Sequence, residues 1–385
     1  MRTQTDAGQA LQQARQNTDA LLRLVKPGYL YERPIAERHR MVFYLGHLEA
    51  FDWNLIGRYA FDAPAFHPGF DQLFAFGIDP PPGELPSDQP SDWPSLDEVQ
   101  GYVRRVREKV DELFGEAPEQ LRHVAVEHRL MHAETFAYIL HQLPYEQKIS
   151  TGDPRTGEGV KPAGRFVEIP AGVAQLGMEP SKGFGWDNEF PMQCAAVPAF
   201  ATAQHKVTNG EYLEFVDQGA PPPFFWGGSA GRRTFRGMFE EYPLPLHAPV
   251  YCTHDEARAY ADWRGMRLPT EAEYHRLASG APPSRNVNFR HWDPTAVTAD
   301  DDGSDRPMQT AGNGWEWTAS PFAGFPGFQP FPFYRNYSEP FFDGRHLVLK
   351  GASPRTAECF LRPSFRNWFR PSYPYVYATF RLVTS

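Results

Sequence analysis

Residues 127–135 read EHRLMHAET. His128 and His132 stand four apart in a segment, Glu119 to Leu143, whose apolar residues recur on a helical period. At about 100° per residue, positions four apart differ by only about 40° around a helix axis. Both imidazoles therefore leave one face and can meet one cation. Glu134 lies about 160° from His132 by the same count, which suits it to an outer or surface role. A third ligand has to come from another helix. The reading of this stretch thus decides whether the first part of the chain is a helix bundle with a metal in its core.

The neighbouring segments support a bundle. The N-terminal stretch MRTQTDAGQALQQARQNTDALLRLV reads as an amphipathic helix with Leu11, Leu21, Leu22 and Val25 inward, too polar for a signal peptide. Ile35 to Tyr59 carries Met41, Tyr44, Leu45, Leu48, Phe51 and Leu55 on a helical period. Leu96 to Phe114 is amphipathic, with charges on its outer face, and Pro144 ends the segment that begins at Glu119. Four helices result, with residues 61–95 as a Pro-rich loop between the second and third. His47 sits in mid-helix in YLGHLEAFDWNLI, where a buried imidazole without a partner would be costly. It is the best candidate for the third ligand. Three neutral nitrogens suit zinc, copper or iron, and leave coordination positions open. The competing reading makes each histidine an ordinary hydrogen-bonded core residue.

Beyond the bundle the texture changes. STGDPRTGEGVKPAG, residues 150–164, has the composition of a linker. RFVEIPAGVAQLG alternates like a strand pair. Thr253 with Glu256, and Thr270 with Glu273, each have the spacing of a capping box at a helix start. From residue 285 onward the chain reads as loops and short strands, rich in proline and aromatics. GNGWEWT has the look of a buried Trp–Glu core motif.

The bulk numbers exclude several classes. A net charge of −9 argues against nucleic-acid and anionic-membrane partners, both of which need a dense basic surface. No apolar run approaches the roughly 18–20 residues that span a bilayer. Three scattered cysteines, Cys194, Cys252 and Cys359, point to a reducing cytoplasm rather than a disulfide framework.

Four stretches, RLPTEAEYHRLA (267–278), GNGWEWTASPF (312–322), YRNYSEPFFDGRHLVLKGAS (334–353) and RPSFRNWF…ATFRLV (362–383), resemble the formylglycine-generating-enzyme fold, an α+β, C-type-lectin-like domain. YLGHLEAFDW and EHRLMHAE resemble a DinB-like four-helix bundle. The two in this order resemble the non-heme iron sulfoxide synthases of ergothioneine biosynthesis. The implied organisation is an all-α DinB-like bundle over 1–149, a linker over 150–164, and a formylglycine-generating-enzyme-like domain over 165–385. The implied ligands of Fe(II) are His47, His128 and His132. The implied substrates are hercynine, a small thiol or selenol, and O2, joined at imidazole C2 of hercynine. Tyr334 falls where the family has its catalytic tyrosine, and Tyr337, Asn367 and Trp368 where it contacts substrate. The resemblance also allows a structural Ca(II). It leads to the expectation that iron sits where the bundle meets the second domain, with Tyr334 reaching across.

Two positions depart from the synthases that take γ-glutamylcysteine. Phe369 stands where those carry an Asp after the Asn-Trp pair, and Met131 where they place a Gln beside the second helix histidine. The pattern PIAERHRMVFYLGHLEAFDWNLI is most similar to the selenoneine synthase branch, which joins hercynine to a selenosugar. Other classes remain: a zinc- or nickel-dependent DinB-type thiol transferase, or a bundle fused to a lectin-like binding module. Formylglycine generation needs two active cysteines in the last strands, where Cys359 stands alone.

Overall fold

The computed structural model describes residues 4–76, 85–152, 159–281 and 283–384. They fall into two compact units, Met1–Gly152 and Asp153–Ser385.

The first unit is helical: α1 (Gln4–Leu22), α2 (Met41–Asp52), α3 (Pro68–Phe76), α4 (Leu96–Phe114) and α5 (Glu119–Gln142). α1 packs on α5, and α2 on α3, α4 and α5. α4 starts at Ser95, whose hydroxyl accepts from Glu98 N while the Glu98 carboxylate accepts from Ser95 N at 2.9 Å. α5 ends because Pro144 drives the preceding Leu143 into an extended conformation. Beyond the helix ends, Ile149 N donates to Leu24 O (2.8 Å) and Lys26 N to Gln147 O (2.9 Å), tying α1 to α5. Nearly every residue of α2 is buried, so this helix runs through the middle of the unit rather than along its surface.

Two expectations need correction here. The helix expected from Ile35 starts at Met41, because Arg40 is extended and anchored to Asp88 Oδ2 (3.0 Å) and Tyr31 O (2.7 Å). It runs on past Asp52 as a wider π-helix over Trp53–Ala60. The stretch 61–95 is not only loop: it contains α3, whose short apolar face was hidden among prolines.

The second unit is α+β. Its helices are α6 (Asn209–Asp217), α7 (His254–Trp263) and α8 (Glu271–Leu277). Its strands are β1 (Phe166–Ile169), β2 (Gly172–Leu176), β3 (Gln193–Val197), β4 (Phe200–Ala203), β5 (Trp226–Ser229), β6 (Arg232–Arg236), β7 (Glu241–Pro243), β8 (Gly314–Pro321), β9 (Leu347–Ala352), β10 (Asn367–Phe369), β11 (Ala378–Thr379) and β12 (Val383–Thr384). They form sheets in the orders β1-β4-β12, β10-β9-β8-β11, β2-β3 and β5-β6-β7. β1 and β2 do not form the strand pair that alternation suggested. β1 pairs with β4, and β2 with β3. The connection Pro170-Ala171 lacks the positive-φ residues a tight hairpin turn needs. Each of the three helices starts with a capping box: Thr208–Glu211, Thr253–Glu256 and Thr270–Glu273.

GNGWEWT is core. Trp315, Glu316 and Trp317 are fully buried on β8. Glu316 pairs with Arg381, whose Nη1 donates to Ala203 O (2.8 Å) and whose Nη2 also donates to Met308 O (2.6 Å). Arg381 is therefore a brace between strands. Arg366 is another, holding Glu271 at 2.9 Å and Ala323 O at 2.9 Å. No helix among the described residues is long and apolar enough to cross a membrane.

Candidate metal centre and aromatic site

α2 contributes His47 and α5 contributes His128 and His132. One ligand nitrogen of each lies within 4.8 Å of the other two. His47 Nε2 and His132 Nε2 are 3.2 Å apart. Two imidazole nitrogens bound at right angles about 2.1 Å from one ion would stand about 3 Å apart, so the spacing fits a shared metal. The rings pack tightly: Phe51 stacks flat on His128 at 3.4 Å, and Phe43 on His47 at 4.6 Å. Burial pushes all three imidazoles down in pKa, His47 to about 4 and the other two well below the ordinary histidine range. They are neutral near pH 7, the form that binds a cation.

The orientation of His47 comes from α3. His47 Nδ1 lies 2.7 Å from the Phe74 carbonyl, a contact that makes Nδ1 the donor and leaves the Nε2 lone pair for the metal. Phe74 can come this close because residue 46 is glycine: a Cβ there would meet the Phe74 ring at 2.4 Å. The sequence signals neither contact, because the prolines of 61–95 mask the short apolar face of α3. We expect Gly46→Ala to lower metal affinity about 10- to 100-fold, as loss of a ligand's outer partner does. It should also cost about 1–3 kcal/mol from overpacking against the buried Phe74. Metal titration and thermal melting measure the two effects, and unchanged affinity in a destabilised variant would reject the orienting role.

Next to His128 on α5, Arg129 is fully buried with Glu49 (2.9 Å) and Asp52 (2.6 Å). Arg107 also reaches Glu49, at 2.8 Å. Burial raises the Glu49 carboxyl, but Arg129 and Arg107 more than reverse this and hold it at about 2. Burial keeps Asp52 raised despite Arg129. Met131 is half-buried on α5 between Leu130 and His132, and Glu134 is half-buried two residues on.

In the second unit, Tyr334 and Tyr337 sit on an irregular turn, their rings 5.5 Å apart. Tyr337 lies 4.2 Å from the Trp186 ring and 5.4 Å, edge-on, from Trp368. Trp368 stacks on Phe322 at 4.2 Å. Burial, then the Asp187 charge, raises the Tyr334 phenol to about 12. Alternation along β10 puts Asn367 and Phe369 on the opposite face from Trp368. Phe369 stacks on Tyr373 at 5.3 Å, and Asn367 Oδ1 accepts from Trp368 N at 2.9 Å. The structure thus joins Tyr334, Tyr337 and Trp368 in one aromatic cluster and leaves Asn367 and Phe369 outside it.

The DinB superfamily model matches residues 10–143 and the sulfatase-modifying factor enzyme 1-like domain model matches residues 154–302. The hercynine oxygenase of Mycolicibacterium smegmatis is 32% identical, over 78% of this chain and 79% of its own length. The chain belongs to the hercynine oxygenase family. That of Mycolicibacterium thermoresistibile is also 32% identical, over 73% of each chain. Ergothioneine biosynthesis protein 1 of Schizosaccharomyces pombe is 29% identical over 94% of this chain. The chain spans only about half the length of that relative (54%). By name the hercynine oxygenases are oxidoreductases, and both matched domains fall where the helical and α+β units lie.

Proposed function

We propose that this chain joins a chalcogen donor to imidazole C2 of hercynine, with Fe(II) held by His47, His128 and His132 and O2 as oxidant. The observation that carries the reading is the convergence of three neutral imidazoles from α2 and α5, in a chain of the hercynine oxygenase family. The reaction balances as hercynine C2–H plus R–SeH (or R–SH) plus O2 giving the C2–Se(O)–R (or C2–S(O)–R) product and water. Bound ferrous iron would supply the redox chemistry toward dioxygen.

The chain's own residues do the rest. Hercynine carries a trimethylammonium, which aromatic faces attract, and Tyr337 and Trp368 offer such faces. Tyr334 Oη, raised to about 12, keeps its proton at neutral pH and can deliver it to the reacting oxygen. Asn367 contacts substrate in this reading. For the donor we favour a selenosugar. Phe369 and Met131 offer no charge to a γ-glutamylcysteine ammonium, and the Phe369–Tyr373 stack, with Tyr375 5.1 Å from Tyr373, suits a sugar face.

A donor panel tests this. Protein, Fe(II), hercynine and air are mixed with selenoglucose, thioglucose, cysteine or γ-glutamylcysteine, and products are identified by mass. The selenoglucose adduct should dominate; product from γ-glutamylcysteine alone would overturn the donor assignment. Turnover without oxygen would instead identify a DinB-type thiol transferase. In the same assay, Tyr334→Phe should keep iron and hercynine binding and lower bond formation about 10²- to 10⁴-fold. Normal turnover in that variant would remove Tyr334 from the chemistry.

A further inference from the structure

The turn Phe331–Ser338 carries Tyr334 and Tyr337 but has no helix or strand to hold it. Its internal bonds are Tyr334 N to Phe331 O (3.0 Å) and Tyr337 N to Tyr334 O (3.2 Å). A reacting phenol on so irregular a segment needs outside support, since a displacement of about 1 Å can cost roughly 10²-fold in rate. We infer that Asp187, Asn188 and Ser338 are positioning residues that clamp this turn and so fix Tyr334 and Tyr337. The inference rests on the role proposed above for Tyr334.

The Asp187 carboxylate holds the turn at its far end, where Oδ1 accepts from the Ser338 hydroxyl. Asn188 Nδ2 donates to the same Ser338 Oγ at 3.1 Å. Asp187, Asn188 and Ser338 are all at most 1% exposed. Trp186, just before them, lies against the turn from within, its ring 6.5 Å from Phe331, 6.4 Å from Tyr334 and 4.2 Å from Tyr337.

The clamp is itself rooted in the core. Glu189 accepts from Trp186 N (2.8 Å), from Arg362 (2.6 Å) and from Ser364 Oγ (2.6 Å). Asn188 O accepts from Arg366, which is held by Glu271. A buried carboxylate is expensive to keep, and burial raises Asp187 to about 6. What it offers over a neutral side chain of its size is a charged acceptor, which binds the Ser338 hydroxyl more strongly.

Ser338→Ala removes this grip and Asp187→Asn weakens it. Each variant is melted, assayed for iron, and turned over with hercynine and selenoglucose. Expected are a folded protein, unchanged iron, a kcat about 10- to 100-fold lower and a raised KM for hercynine, because Tyr337 moves with the turn. Wild-type kcat in the folded variants overturns the clamp, and Ser338→Ala alone decides if Asp187→Asn does not fold. A second measurement needs no substrate: ¹⁹F spectra of fluorotyrosine-labelled protein, the Tyr334 line assigned by its loss in Tyr334→Phe. The clamp predicts that this line shifts or broadens in Ser338→Ala, and an unmoved line rejects it. Should the native protein not turn over hercynine, the functional reading fails while the ¹⁹F result still decides the clamp.

Discussion

Replacing His128 with alanine should abolish iron binding and all oxygen-dependent turnover while leaving the bundle folded. His128 shares one face of α5 with His132 and is covered by the Phe51 ring. Removing an outer partner of a metal ligand costs about 10- to 100-fold in affinity, and losing the ligand itself costs more. The fold survives because the imidazole is neutral and anchors no charge: burial keeps it deprotonated, and its removal strands no ion. Plasma emission analysis of the purified variant reads the iron, and far-UV circular dichroism the helices. Iron bound as in the native protein would sink the ligand assignment.

The largest effect on stability is expected at Arg129→Leu. This guanidinium holds Glu49 and Asp52 inside the bundle, all three side chains at most 1% exposed. Breaking such a cluster leaves uncompensated buried carboxylates and costs about 3–5 kcal/mol. The loss should fall toward the lower end, because Arg107 keeps its hold on Glu49. Asp52, already raised by burial, then takes up a proton rather than stay charged. Arg129→Lys should recover little, since one ammonium cannot reproduce the planar fork that bonds Glu49 and Asp52 together. Urea denaturation followed by helical dichroism measures the difference, and a loss below about 1 kcal/mol would show that water reaches the cluster.

The cluster also bears on the metal centre. Glu49 lies two residues after His47, and Arg129 follows His128 directly, so this ion pair joins α2 to α5 within two residues of the ligands. In the sequence Glu49 and Asp52 are two of many carboxylates, and Arg129 is one of many arginines. Charge type is local information, whereas the pairing of charges 77 to 80 residues apart depends on how two helices cross.

The same division runs through the whole chain. By itself the sequence determined that residues around His47 and around EHRLMHAET are helices, that His128 and His132 share a face, that the chain changes character after residue 150, and that α7 and α8 start at Thr253 and Thr270. These follow from periodicity, capping and composition, which act over a few residues. Only the tertiary structure decided that α3 turns a carbonyl toward His47 through the gap left by Gly46, that β1 and β2 belong to different sheets, and that Asp187 holds Ser338 at the end of the Tyr334 turn. Each of those joins groups distant along the chain, and such contacts are selected by the packing of the complete core, where no local pattern reaches.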